Sequence, residues 1–123
     1  MDALYFCCSK TWIVLKDLHI IAFTHRNLDV NKIGLLHIEK EDQLIHLDRV
    51  KQTLQLDELQ FLSTCNRVEI TFVKKHKMDA DYVHEILSAI YPKLVPIQVE
   101  EFVHKAETFS GNTAVKHALS VAS

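Results

Sequence analysis

The residue best suited to covalent chemistry is Cys65, in the run Phe61-Leu62-Ser63-Thr64-Cys65-Asn66-Arg67-Val68-Glu69-Ile70. Thr64, Asn66 and Arg67 put hydrogen-bond donors and a fixed positive charge beside the thiol, and such neighbours favour the reactive thiolate. A free cysteine is also often a small buried hydrophobe, and residue types alone leave both readings open. Glu69 falls two residues past Arg67 on the same strand face, where it could orient the guanidinium by ion pairing. His117 is the second candidate. At about 100° per residue it lies opposite a stripe of Val115, Leu119 and Ala122, so it faces solvent or a cleft rather than a core. His25 and His104 read as structural, with His25 also placed to form a pocket wall. The run Lys74-Lys75-His76-Lys77 reads as a solvated turn or a contact for RNA phosphate.

Other chemistries find little support. Cys7, Cys8 and Cys65 form no C-x-x-C pair, and no two histidines stand four apart, so no metal site is expected. Gly34 and Gly111 are the only glycines, so no loop can cradle a dinucleotide phosphate.

Periodicity supplies the elements that must position these residues. His19–Thr24 is a short apolar, partly β-branched strand, and Asn27-Leu28-Asp29 a turn. Glu39–Gln52 is a helix by the spacing of Leu44, Leu47 and Val50, with acidic residues at its N-terminal end. Leu59–Cys65 and Arg67–Val73 are strands too close in sequence to be anything but an antiparallel hairpin. Val68, Ile70 and Phe72 alternate with Glu69 and Thr71, the mark of one buried face. Asp79–Tyr91 is a helix with a stripe of Tyr82, Val83, Ile86, Leu87 and Ile90, ended by Pro92 and Pro96. Val99–His104 reads as a fourth strand and Thr113–Ala122 as a last helix. The order βαββαβ predicts an α+β, ferredoxin-like antiparallel sheet with helices on one face, plus a C-terminal helix.

A chain of 123 residues, 48% hydrophobic, with two Gly and two Pro, is one packed domain. A net charge of −2 gives no general attraction to nucleic acid, so any RNA contact must be local. The odd number of cysteines argues for a reducing, cytoplasmic setting rather than a disulfide framework. No apolar run reaches the roughly 18 residues that span a bilayer, and Asp2, Lys10 and Lys16 break up the apolar start, which does not read as a signal peptide. Residues 1–16 read as an extension, with Thr11–Leu15 as an extra edge strand, and 17–123 as the domain.

The run Ser63-Thr64-Cys65-Asn66-Arg67-x-Glu69-Ile70 resembles the signature of glutamyl-tRNA reductases. Leu18–Val30 is similar to that family's first strand and His-Lys-Thr-Ala-Pro-Val loop through His25 and Val30. Ala114–Ser123 is similar to its helix ending in Val-Ala-Ser. Asn27-Leu28-Asp29 replaces Thr-Ala-Pro, Val68 a usual Thr, and Thr71 a usual Tyr.

The resemblance implies that Cys65 attacks the ester of glutamyl-tRNA, releases the tRNA and holds glutamate as a thioester. NADPH then reduces the thioester to glutamate 1-semialdehyde, the first step of five-carbon tetrapyrrole synthesis. It implies that Thr64 and Arg67 bind the glutamate, that His117 is an active-site histidine, and that Asn66 shapes the turn. It further implies an NADPH-binding domain and a dimerisation domain outside this chain, a homodimeric enzyme and a downstream aminomutase partner. Two other readings stand beside it: a non-catalytic ferredoxin-like module binding RNA or another partner, and a degenerate homologue retained for assembly.

Overall fold

The computed structural model describes residues 5–8 and 11–122. Strands β1 (Tyr5–Cys8) and β2 (Thr11–Val14) pair antiparallel as a separate two-stranded sheet. The expected edge strand at Thr11–Leu15 therefore joins its own neighbour rather than the main sheet. The first four residues of the extension, and the Ser123 that closes Val-Ala-Ser, lie outside the described residues.

The main sheet is built from β3 (Leu18–Thr24), β4 (Glu58–Ser63), β5 (Arg67–Val73) and β6 (Glu107–Ser110) in the order β4-β5-β3-β6, with antiparallel neighbours throughout. Between β3 and β4 run α1 (Val30–Gly34) and α2 (Lys40–Thr53); between β5 and β6 run α3 (Ala80–Ile90) and α4 (Pro96–Lys105); α5 (Asn112–Ala122) follows β6. This is the ferredoxin-like split-βαβ arrangement, in which each helical crossover returns the chain parallel to its starting strand with one strand between.

All seven residues of β3 are buried, as a strand covered on both faces requires. One face carries Ile21, Phe23, Val68, Ile70 and Phe72, which join Ile33, Val50, Ile86, Leu87 and Phe102 of the helices in the main core. Phe23 meets Phe102 edge-on at 5.8 Å. The other face carries Leu18, Ile20, Ala22 and Val73 beneath Ala114 of α5.

Helix α3 buries the whole predicted stripe, Tyr82, Val83, Ile86, Leu87 and Ile90, and Asp79 caps it by accepting from Tyr82 N at 2.9 Å. In α2 the stripe is narrower than its spacing suggested: Val50 is buried, whereas Leu44 is 81% exposed. The fourth strand is not Val99–His104. That segment is α4, which buries Val99 and Phe102 at an i, i+3 spacing, starts with Pro96 at its first turn and ends at His104 and Lys105. Its entry is fixed by Val95 N donating to Gln98 Oε1 at 3.0 Å. The strand role falls to Glu107–Ser110, where the buried centre of β3 still needs partners. Gly111 then turns the chain into α5 with φ 59°, a value that favours glycine.

Among the described residues no helix is long and apolar enough to cross a membrane. Nor does any group of three or more His, Cys, Asp or Glu side chains gather as a metal site would need.

Candidate active site

The hairpin between β4 and β5 is closed by Thr64 N donating to Arg67 O at 2.8 Å, with Ser63 opposite Val68. Cys65 and Asn66 are therefore its two tip residues. Cys65 is a free, exposed cysteine. The tip is tied down by the main chain: His25 N donates to Asn66 O at 3.1 Å, fastening the hairpin to the exit of β3. The side chain of His25 is exposed and takes no part in the cleft described below.

Pairing also decides where Arg67 goes. Phe61 and Ser63 lie opposite Ile70 and Val68, on the helix-covered side of the sheet, so Arg67 and Glu69 project toward α5. There Arg67 Nη1 stands 3.1 Å from Glu69 Oε2. The expected Arg67–Glu69 ion pair is therefore formed on the α5 face, while Cys65 stays in the turn.

On that face the strands form rows. Thr24 lies opposite Arg67; Ala22 lies between Glu69 on β5 and Glu107 on β6; Ile20 lies between Thr71 and Phe109. The methyl of Ala22, fully buried, leaves a depression between two carboxylate-bearing neighbours. The result is a cleft of about 420 Å³ lined by Ala22, Thr24, Arg26, Arg67, Glu107 and Phe109 from the sheet side, and by His117, Ser120 and Val121 from α5.

His117 comes from the roof. Its ring stacks on Phe109 with centroids 4.1 Å apart, and its Nε2 is 3.1 Å from Glu69 Oε1. Glu69, 5% exposed, therefore sits between a guanidinium and an imidazole. Neither contact points along a good hydrogen-bond direction, and Glu69 Oε2 and His117 Nε2 are buried without a well-directed partner.

The expected α5 stripe holds only in part: Val115 packs against the small core under the helix, Leu119 faces out, and the side chain of Ala122 lies outside the described residues. Ala114 is the buried residue and Leu119 is 67% exposed. A small residue lets the helix approach the sheet closely, which brings His117, one turn on, over the cleft. Thr64 is exposed; its hydroxyl reaches Arg67 O at 3.5 Å rather than the cleft. Asn66 contributes the carbonyl bonded to His25. His104 is exposed at the end of α4.

The basic run after β5 is partly structural. Lys74 Nζ donates to Leu54 O and Gln55 O just past α2, at 3.3 and 3.0 Å, and His76 stacks on Tyr82 at 3.9 Å. Sequence reasoning did not find Ala22, Thr24, Arg26, Glu107, Phe109, Ser120 or Val121; strand register alone assembles them.

A buried histidine lies on the opposite face of the sheet. His19 Nε2 is 2.9 Å from Lys74 O, which can only accept, so the neutral ring carries its proton there and Nδ1 accepts from the Ser110 hydroxyl at 2.7 Å. Burial holds the His19 pKa below its ordinary value. The Lys74 carbonyl and Asp17 oppose that shift, and His76 adds to it.

The family model for the "Glutamyl-tRNAGlu reductase, N-terminal domain" matches residues 21–123. The glutamyl-tRNA reductase of Lawsonia intracellularis is 34% identical over 112 residues, covering 88% of this chain and 24% of that protein. The Campylobacter hominis enzyme is 29% identical over 107 residues, covering 84% and 24%. The chain thus spans about a quarter of the length of these relatives. The solved glutamyl-tRNA reductase from Methanopyrus kandleri shares the fold with a TM-score of 0.60 and 22% identity, over 87% of this chain and 22% of that one. With the match running from β3 through α5, the chain belongs to the glutamyl-tRNA reductase family, as a form of its N-terminal domain.

Proposed function

We propose that residues 17–123 form an acyl-transfer domain acting on glutamyl-tRNA. The Cys65 thiolate attacks the ester carbonyl carbon. A carbon–sulfur bond forms and the bond to the ribose oxygen of the tRNA breaks. That oxygen leaves with a proton, and glutamate remains as a thioester. The observation that carries this reading is a free, exposed cysteine at a main-chain-anchored hairpin tip, two residues from an arginine that lines a polar cleft.

Arg67 is held by Glu69 through one nitrogen, and its remaining donors suit the side-chain carboxylate of the substrate. His117 is the titratable group over the cleft placed to supply a proton to a departing oxygen or to position the acyl group. Thr64 borders the cysteine, outside the cleft, and its exposed hydroxyl is available to the thioester end of the acyl group.

The relatives' name implies a reductase, and NADPH is the expected hydride donor. The residues of this chain do not fit that cofactor. Gly34 ends a short helix, Gly111 makes a single turn, and no glycine-rich strand-to-helix loop exists to hold a pyrophosphate. We assign the hydride step to another domain of a longer, homodimeric cytoplasmic enzyme, whose product an aminomutase consumes.

The RNA-binding alternative needs stacking aromatics on an open sheet face. Here α5 covers that face, Phe72 is fully buried in the helical core, and Phe109 is stacked on His117, all of which favours the acyl-transfer reading. Incubation with glutamyl-labelled tRNA followed by acid trapping should give labelled protein from the native chain and none from Cys65→Ser. Equal labelling of the two would overturn the proposal.

A further inference from the structure

The cleft holds more charge than Arg67 and His117, and the surplus is arranged. The Arg67–Glu69 pair is internally neutral. What remains is Glu107 on the β6 side and Arg26 just past the end of β3. The half-buried carboxylate of Glu107 is steadied by Asn27 Nδ2 donating to Oε1 at 2.8 Å, which leaves Oε2 for another donor. The guanidinium of Arg26 pairs with no carboxylate among the described residues, and its main-chain N–H is turned back to Thr24 Oγ1 at 3.4 Å. Arg26 stands two residues past Thr24, the residue opposite Arg67, and both arginines line the cleft. Glu107 stands on the far side of Ala22 from Glu69, about 10 Å from it at the backbone by two strand spacings.

We propose that Glu107 and Arg26 are specificity-determining residues for the aminoacyl group. Glu107 accepts the free α-ammonium, and Arg26 joins Arg67 on the side-chain carboxylate. The ligand that matches one remaining carboxylate and one remaining guanidinium across a small floor is an acidic amino acid with a free amine, esterified at its α-carboxyl. An N-blocked acyl group would leave Glu107 desolvated without a cation, and an amide side chain would leave Arg26 unmatched; rejection of a near-isostere by unpaired polar groups is the stronger form of selectivity. The inference rests on the reading of this cleft as an aminoacyl site.

The test is binding of 3′-deoxy-3′-(L-glutamylamido)adenosine, whose amide cannot be transferred, to the whole chain carrying Cys65→Ser, alongside its N-acetyl and glutaminyl forms. Glu107→Gln, which keeps an acceptor for Asn27, should weaken binding of the free-amine probe about tenfold or more and leave the N-acetyl probe unchanged. Arg26→Met should weaken the glutamyl probe by a similar factor and leave the glutaminyl one unchanged. Asn27→Ala, which frees the carboxylate without removing it, should give a smaller loss in the direction of Glu107→Gln. Equal discrimination by all variants and the parent overturns the inference, as does a parent that binds none of the probes. Labelling of the native chain by glutamyl-tRNA, run beside it, reports on acyl transfer alone, so either reading can fail without the other.

Discussion

On its helix-covered face the sheet presents Ile21, Phe23, Val68, Ile70 and Phe72, each with almost no exposed surface. Shifted by one residue along the same strands, the α5 face presents Ala22, Thr24, Arg67 and Glu69, joined by Glu107 from β6. One face is filled by volume and the other is left partly empty around charge. Alternation in a strand lets one stretch of chain do both, since each residue serves only one side. The apolar packing is concentrated on the first face and the polar cleft lies on the second.

That division can be broken from either side. Phe72→Ala on the filled face should cost about 3–5 kcal/mol, as large-to-small changes of buried aromatics do, with the urea midpoint as the readout. It should act on acyl transfer only through the fraction folded. Ala22→Leu on the other face should cost less, about 1–3 kcal/mol, by overpacking beneath α5. It should nevertheless abolish labelling by glutamyl-tRNA, because the added atoms fill the floor between Glu69 and Glu107 while Cys65 stays untouched. A folded Ala22→Leu chain that still labels at the native rate would show that the cleft is not where the acyl group sits.

The smallest effect concerns pH. The folded-state pKa of His19 lies below its unfolded value of about 6.5, so the neutral ring's contribution is complete above that pH and is lost as pH falls through it. Melting temperature should decline as pH falls below about 6.5, and His19→Gln should flatten that slope. An unchanged slope would show that the bonds to Lys74 O and Ser110 Oγ do not tie the ring's protonation to folding.

Sequence patterns revealed these features unevenly, for physical reasons. Helix α3 was readable because five apolar residues repeat at helical spacing on a helix pressed against a core. Helix α4 reads as a strand because Val99, Phe102 and Val103 are also good strand formers, and Pro96 is as compatible with a strand's start as with a helix's first turn. Strand β6 is the converse: Glu-Thr-Phe-Ser has one large apolar residue, and the strand exists because β3 supplies its hydrogen-bonding partners. In α5, ranking by hydrophobicity turns Leu119 inward, whereas close approach to the sheet selects Ala114.

At the site, Cys65, Arg67, Glu69 and His117 are visible as residue types in a compact run and on a helix. The apposition of Arg67 and His117 with Ala22, Arg26, Glu107 and Phe109 depends on pairings across 40 or more residues of chain, which local patterns do not encode.

The bond from His25 N to Asn66 O joins two parts of the chain using only atoms that nearly every amino acid possesses. The position of the hairpin tip that carries Cys65 is thereby insulated from mutation at either end. Side chains at 25 and 66 can be exchanged freely without losing the tether, and among the twenty residues only a proline at 25 would take away its donor.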